Sequence, residues 1–294
     1  MKIAVYGREF QPSAIPYVQH LFDLLTAKEA ELWIYTGFEN FLQQQIDFPK
    51  ELHRYSSRNQ LPNDIGFMLS LGGDGTMLAA VSIVGDSGIP VAGINLGRLG
   101  FLADINKDDI DTAIDAIFKG EYNIQKRTLL TVRSPQIPLF NGTPFALNDI
   151  TLFKSDSSAM ITVNAYLNGE LLNAYWADGL IVATPTGSTA YSLSCGGPII
   201  VPGSGNFVIT PISPHNLNVR PVVISDDLEI DLEIESRSGK FLLSCDSQTT
   251  SVSTEIRLKI SQAHYQVNLL RLKNYRYFSN LRNKLLWGLD ARNY

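Results

Sequence analysis

The sequence predicts an α/β domain with a mainly parallel sheet, then a mainly antiparallel β domain, and a last helix that returns to the first domain. Three observations lead there. Apolar strand-like runs alternate with segments of helical period through the first 125 residues. Strand-like runs separated by turns then fill residues 126–271. A closing amphipathic stretch within 272–294 reads as a strap. Alternating β and α segments are the mark of a parallel sheet, whereas successive strands joined by turns favour antiparallel pairing. The expected domains are therefore 1–125 with 272–294, and 126–271.

Each element has its own reason. Lys2–Tyr6 (KIAVY) is a short apolar strand. Ile15–Ala27 places Val18, Leu21, Phe22 and Leu25 on one helical face. Glu31–Tyr35, Phe67–Leu71 and Pro90–Asn95 read as further strands. Met77–Val84 is an apolar helix, and Asp108–Lys119 a helix with acids in its first turn and Lys119-Gly120 at its end. After residue 125 the expected strands are Thr128–Val132, Ile150–Phe153, Ile161–Leu167, Leu180–Ala183, Val219–Ile224, Leu228–Ile234, Phe241–Cys245, Glu255–Ile260 and Tyr265–Leu270. The run from Leu228 to Ile234 alternates apolar and acidic residues, the period of a half-buried strand. Asn168-Gly169 and Ser238-Gly239 supply turns. No long helix is expected between 126 and 270. Tyr277–Trp287 is the closing helix.

Gly72-Gly73-Asp74-Gly75-Thr76 stands where a strand gives way to a helix. Bare amides at a helix N-terminus attract phosphate, and glycines let a ligand approach the main chain. A carboxylate there repels phosphate. Its chemistry is to take a proton from an attacking hydroxyl or to hold a metal that travels with the phosphates. No Walker lysine motif occurs, and no Gly-x-Gly-x-x-Gly follows the first strand.

Composition narrows the class. The 294 residues are 45% hydrophobic and 18% charged, a globular balance with material for a core. The net charge of -5 argues against a nucleic-acid partner, but not against a nucleotide. The opening MKIAVYGREF lacks the apolar centre of a signal peptide, and no apolar run is long enough to span a membrane. A cytoplasmic protein is expected. Cys195 and Cys245 are expected as reduced, buried thiols, and Asn141-Gly142-Thr143 as a plain turn. Four histidines and two cysteines are too scattered for zinc.

Further segments carry polar groups in suggestive settings. Asn148-Asp149 offers donors and a double acceptor, although an Asx turn is the simpler reading. The segment from Asp178 to Pro198 leads from a strand into a loop of small hydroxyls and glycines, and is read as a binding loop. Ser244-Cys245-Asp246-Ser247-Gln248 reads as a turn, and His215 as structural.

Taken in order, GGDGT at 72–76, INLGRLGFL at 94–102, LND at 147–149, DGLIVATPTGSTAYSLSCGGP at 178–198, SPHNLNVRP at 213–221, SCDSQ at 244–248 and YFSNLRNKLLW at 277–287 resemble the NAD kinase family over nearly the whole chain. GGDGT alone is shared with lipid kinases and phosphofructokinase relatives; the 178–198 block is far more specific. The resemblance implies phosphorylation of the adenosine-ribose 2′-hydroxyl of NAD by ATP, aided by a divalent cation such as Mg²⁺. It implies Asp74 as catalytic base and Gly75 against the dinucleotide. It places Asn148, Asp149, Asp178, Thr189, Ala190, Tyr191, Ser192, Leu193, Ser194 and Gln248 among the dinucleotide contacts. Metal ligands are not implied, and Arg98 approaches phosphate only by its glycine-rich setting. Asp149 stands where many relatives have Glu, one methylene longer. Trp176 stands where some relatives carry a basic side chain. A homodimer or homotetramer is implied as well. The rival readings are a GGDG-type lipid or sugar kinase, and a dinucleotide sensor without turnover.

Overall fold

The computed structural model describes residues 1–97, 100–140, 144–156 and 159–287. Arg98 and the Asn141-Gly142-Thr143 turn lie outside the described residues. In chain order the elements are β1 (Lys2–Gly7), α1 (Ile15–Ala27), β2 (Glu31–Tyr35), α2 (Thr36–Leu42), β3 (Leu52–Tyr55), β4 (Phe67–Leu71), α3 (Asp74–Val84), β5 (Val91–Asn95), β6 (Ile105–Asn106) and α4 (Ile110–Phe118). They continue with β7 (Tyr122–Arg133), β8 (Phe145–Ala146), β9 (Asp149–Lys154), β10 (Ile161–Leu167), β11 (Glu170–Ala177), β12 (Gly179–Ala183), α5 (Tyr191–Ser194), β13 (Asn206–Ile212), β14 (Val222–Ser225), β15 (Ile230–Glu235), β16 (Lys240–Cys245), β17 (Gln248–Ser253), β18 (Leu258–Leu272) and α6 (Tyr277–Leu285). The chain forms two compact units, 1–126 with 267–294, and 127–266.

The first unit is a parallel sheet in the order β18–β5–β4–β1–β2–β3, with β6 beside β5. Its central strands read as continuous apolar runs, and β4 and β5 are buried at every residue. That pattern belongs to parallel strands covered on both faces. From β1 the order runs to β2 and β3 on one side and to β4 and β5 on the other. The crevice beyond the carboxyl ends of β1 and β4 is therefore a topological switch point, the usual ligand position of such sheets. Gly7 pairs with Leu71 there, and the chain turns through Gly72 into α3. The helix buries Met77, Ala80, Val81 and Val84, an i, i+3, i+4, i+7 stripe. Each of the aliphatic residues so buried contributes roughly 1.5–3 kcal/mol.

The second unit holds two sheets. One pairs β11–β10–β15 with residues 258–260 of β18, all antiparallel, and β7 with β8. The other runs β14–β13–β12–β9–β16–β17, again antiparallel throughout. Alternate residues of these strands, among them Ile150, Leu152, Val163, Leu180, Val182, Phe207, Leu232 and Leu243, share one core. Asn168 and Gly169 both adopt positive φ, 48° and 85°, and close the β10–β11 hairpin. The only described α-helix wholly within this unit is the four-residue α5.

The differences from the expected elements are local. Glu255–Ile260 and Tyr265–Leu270 are not two strands: Leu258–Leu272 is one strand that runs through the polar Ser261-Gln262 pair. Val219–Ile224 shifts to Val222–Ser225. Strands β3, β6, β8, β11, β13 and β17 and helix α2 were not anticipated. Both cysteines are free thiols, but only Cys245 is buried; Cys195 is half-buried beside Tyr191.

Gly179 is required by packing. A methyl group there would overlap the Leu152 carbonyl of the adjoining strand, and a backbone atom cannot swing aside. Gly179→Ala is expected to lower the unfolding free energy by about 1–3 kcal/mol, read as a lower urea midpoint.

Candidate functional site

The Asp74 carboxylate is the best-anchored group at the switch point. Oδ2 accepts the Phe101 N–H at 2.7 Å. Oδ1 accepts the N–H groups of Leu102 at 2.9 Å and Ala103 at 3.0 Å. A carboxylate has about four acceptor positions, so three are occupied and one remains, on Oδ2. Gly100 lies against the same carboxylate, and any β-carbon there would overlap it. The loop is tied from its far side by Arg271, which is 1% exposed. Its Nη1 donates to the Leu102 carbonyl at 2.8 Å and pairs with Asp104. Burial holds the Asp104 carboxyl above its ordinary range, and Arg271 opposes that shift.

The glycines of the turn have distinct duties. Gly72 has φ of 150°, and a β-carbon would strike the Thr76 side chain. Gly73 and Gly75 face open space, with nothing within 4 Å of an added β-carbon, and neither needs a positive φ. Nothing within the chain demands glycine at these two positions. Bare backbone there leaves the start of α3 open to a ligand.

In the second unit a second aspartate does a similar job. Asp246 sits in the two-residue turn between β16 and β17, at φ of 49°. Its Oδ2 accepts the Leu147 N–H at 2.8 Å, and its Oδ1 those of Asn148 at 2.9 Å and Asp149 at 3.1 Å. The backbone of the Asn148-Asp149 pair is thus fixed from a residue almost a hundred positions away. Burial pushes the Asp246 carboxyl up to about 6, against the opposing pull of those amides. Asp149 begins β9; its Oδ1 accepts the Thr151 hydroxyl at 2.7 Å, and burial raises it as well.

The 178–198 segment is anchored to the same pair. Thr184 N–H donates to the Asn148 carbonyl at 2.9 Å, and its hydroxyl to the Leu147 carbonyl at 2.5 Å. Gly187 passes so close to the Asn148 carbonyl that a β-carbon would overlap it. The hydroxyls of this loop, read above as a binding loop, are largely spent within it. Ser188 Oγ bonds the Pro185 and Ile200 carbonyls and accepts the Ile200 N–H. Thr189 bonds the Thr186 carbonyl, and Ser192 shares a 2.8 Å hydrogen bond with Thr210. Tyr191 is the exception, 40% exposed and packed on Phe153 with centroids 5.8 Å apart. Its phenol is held above the ordinary range by burial, by Cys195 and then by Asp149 and Asp178. Asp178 pairs with Lys154 at 2.6 Å.

Asp149 and Asp178 stand at opposite ends of the β9–β12 ladder, Asp149 opposite Ala183 and Asp178 beside Lys154, and the Tyr191 phenol feels both charges. Ala190, Leu193 and Ser194 flank Tyr191 in the same loop and short helix. Gln248 is exposed on the hairpin that carries Asp246. Asp74 and Gly75 belong to the first unit, and the other candidates to the second. His215 stacks on Trp176 at 4.1 Å, and its N–H bonds the Trp176 carbonyl, as a structural residue would. Asp246, Arg271 and Gly100 were not singled out from the sequence. Their partners lie 26 to 169 positions away, beyond any local pattern.

Among the described residues no three His, Cys, Asp or Glu side chains are grouped to hold a metal, and three of the four acceptor positions of Asp74 are taken. No described helix is long and apolar enough to cross a membrane.

Asp246 leaves a signature in stability. Its folded carboxyl titrates near 6, above the ordinary 3.8, so the folded state holds its proton longer. Its contribution to stability is greatest at low pH and falls as pH rises from about 4 to about 6. Asp246→Asn should remove that slope from the difference between variant and wild-type melts. At neutral pH it should cost about 1–3 kcal/mol, because the amide NH₂ would face a backbone donor.

Family models describe both halves of the chain. The ATP-NAD kinase N-terminal domain matches residues 3–122, and the ATP-NAD kinase C-terminal domain residues 147–272. The NAD kinase of Cytophaga hutchinsonii is 48% identical over 294 residues, covering all of both chains. That of Flavobacterium johnsoniae is 44% identical, also over all of both chains. Yeast NADH kinase, solved in complex with NADH, superposes with a TM-score of 0.86 at 23% identity, covering 99% of this chain and 89% of that one. An NAD kinase from Archaeoglobus fulgidus in complex with ATP superposes with a TM-score of 0.75 at 24% identity, covering 97% and 99%. Two family models spanning most of the sequence and full-length relatives above 40% identity give one answer: the chain belongs to the ATP-NAD kinase family.

Proposed function

We propose that the chain transfers the γ-phosphoryl group of ATP to the 2′-hydroxyl of the adenosine ribose of NAD, giving NADP. The observation that carries the reading is Asp74, a carboxylate fixed by three amides at the switch point, with one acceptor position left and bare glycines on either side. A secondary hydroxyl is a poor nucleophile. Asp74 takes its proton through the remaining Oδ2 position as the bond to phosphorus forms. The amides of residues 101–103 fix the direction of that position before substrate arrives, which is where positioning gains rate. Gly73 and Gly75 give the phosphates access to the first amides of α3.

Asn148, Asp149, Asp178 and Tyr191 are proposed to hold the dinucleotide, with Gln248 adding a polar contact. Asp149 and Asp178 are acceptors suited to ribose hydroxyls or an adenine amine, and Tyr191 presents an exposed ring. Of the residues from Thr189 to Ser194, Thr189 and Ser192 act as frame, since their hydroxyls already have partners. A divalent cation is proposed as one carried on the phosphates of ATP, the common mode for magnesium, and supplies charge neutralisation there. A cytoplasmic setting and a homo-oligomer are proposed with it; Leu217, 87% exposed in the 213–221 segment, is surface a second copy could cover. The lipid-kinase and sensor readings have no comparable support.

The direct test is to incubate the protein with NAD, ATP and Mg²⁺ and to measure NADP with an NADP-specific dehydrogenase. NADP formation is expected, and its absence with intact NAD binding would favour the sensor. Asp74→Asn should lower kcat by roughly 10²- to 10⁴-fold. It is not silent in the fold: its NH₂ would oppose the Phe101 N–H, so a loss of about 1–3 kcal/mol in stability is expected alongside. Gly75→Val, facing open space, should fold normally and lose ligand affinity, read by calorimetry with NAD and with ATP.

A further inference from the structure

Lys284 lies in the last turn of α6, and its ammonium rests over the Phe101 ring, 4.3 Å from the centroid. Phe101 is the residue whose N–H holds Asp74 Oδ2. The ammonium is buried and has no hydrogen-bond partner. That is a costly arrangement, because a buried cation needs its donors satisfied. The acids that face it, Asp74 and Asp104, favour its charge but accept no hydrogen bond from it. Asp74 accepts three amides instead, and Asp104 pairs with Arg271. The fold therefore keeps an ammonium with three unused donors beside the one carboxylate of the glycine turn.

The turn itself offers backbone amides and an acid but no cation. Transfer of a phosphoryl group beside a carboxylate needs positive charge to offset both. A lysine supplies it as a point charge on a flexible stem, without the planar geometry an arginine imposes. We propose that Lys284 is a phosphate-binding residue of the Asp74 site, its ammonium donating to an oxygen of the terminal phosphates of the nucleoside triphosphate. The proposal deepens the kinase reading and rests on it. It accounts for the missing partner: the ligand supplies the acceptor that the chain does not.

The charged groups facing the ammonium are Asp74 and Asp104, which hold its proton, and Arg271, which drives it off. Burial is the largest influence and brings the ammonium down to about 8. Free protein therefore loses this charge as pH rises past 8, and a bound phosphate would restore it.

The experiment compares Lys284→Met, which keeps the apolar stem on Phe101, with Lys284→Arg, which keeps a charge that does not titrate. Steady-state kinetics with varied ATP and varied NAD are run from pH 7 to 9.5, with melting curves for each variant. Calorimetry with a non-hydrolysable ATP analogue runs in parallel. The expected result is a loss of about tenfold or more in kcat/KM for ATP with Lys284→Met, as for removal of one charged hydrogen bond. The KM for NAD and the melting temperature should stay near wild type. Wild type should lose kcat/KM for ATP above pH 8, and Lys284→Arg should be active without that fall. Lys284→Met with wild-type kcat/KM for ATP, or a loss shared equally by NAD and not recovered by Lys284→Arg, would overturn the proposal. If Lys284→Met does not fold, the pH profile of Lys284→Arg decides: a fall at the same pH as wild type overturns it. A wild type that makes no NADP refutes the kinase reading instead, and the analogue titration then judges Lys284 separately.

Discussion

Asp74 cannot move without moving residues 101–103, and those residues cannot move without breaking the Arg271 bridge to Leu102 and Asp104. This short chain of hydrogen bonds links the end of β4, the loop after β5 and the end of β18. All three lie on strands that neighbour one another in the parallel sheet. The strand order creates a crevice, and the crevice alone would be only a shape. The carboxylate–amide cluster gives it a defined acceptor direction. It also explains why Gly100 is glycine, since a side chain there would occupy the volume of the carboxylate itself.

The second unit repeats the device with different parts. Asp246 gathers three consecutive amides, as Asp74 does, but no role in proton transfer is assigned to it. It is a positioning group whose cost is visible in its raised pKa. Satisfied buried networks of this kind rigidify what they hold, while a half-satisfied one is worse than none. The two aspartates thus show one local motif, three consecutive amides on one carboxylate, used once in each unit.

Much of this was legible beforehand, for identifiable reasons. β1, β2, β4 and β5 are buried apolar runs, and α1 carries a clean helical stripe, so periodicity alone located them. The glycine turn announced itself because an acid among glycines stands where an apolar strand gives way to an apolar helix. β17 was missed because it is a polar, largely exposed edge strand, and β11 because it is an edge strand whose apolar residues do not alternate with polar ones. β13 was missed because Pro211 interrupts an otherwise plain apolar run. β18 was divided in two at a polar stretch that pairing, not hydropathy, makes continuous. Asp246 looked like an ordinary turn residue because its purpose lies in amides it meets only after folding. The family resemblance supplied what local pattern could not, the naming of Asn148, Asp149, Asp178 and the Tyr191 loop as candidates for one ligand.

The internal bonds of the 184–200 loop bear on how a ligand is received. Thr184, Ser188, Thr189 and Ser192 have spent their hydroxyls before any ligand arrives. The entropy of ordering that loop is charged to folding, so little of it remains to be lost on association. On the proposed function, recognition then works as a rigid mould: a poorly matched nucleotide meets a surface that does not adjust to it, and discrimination comes from misfit.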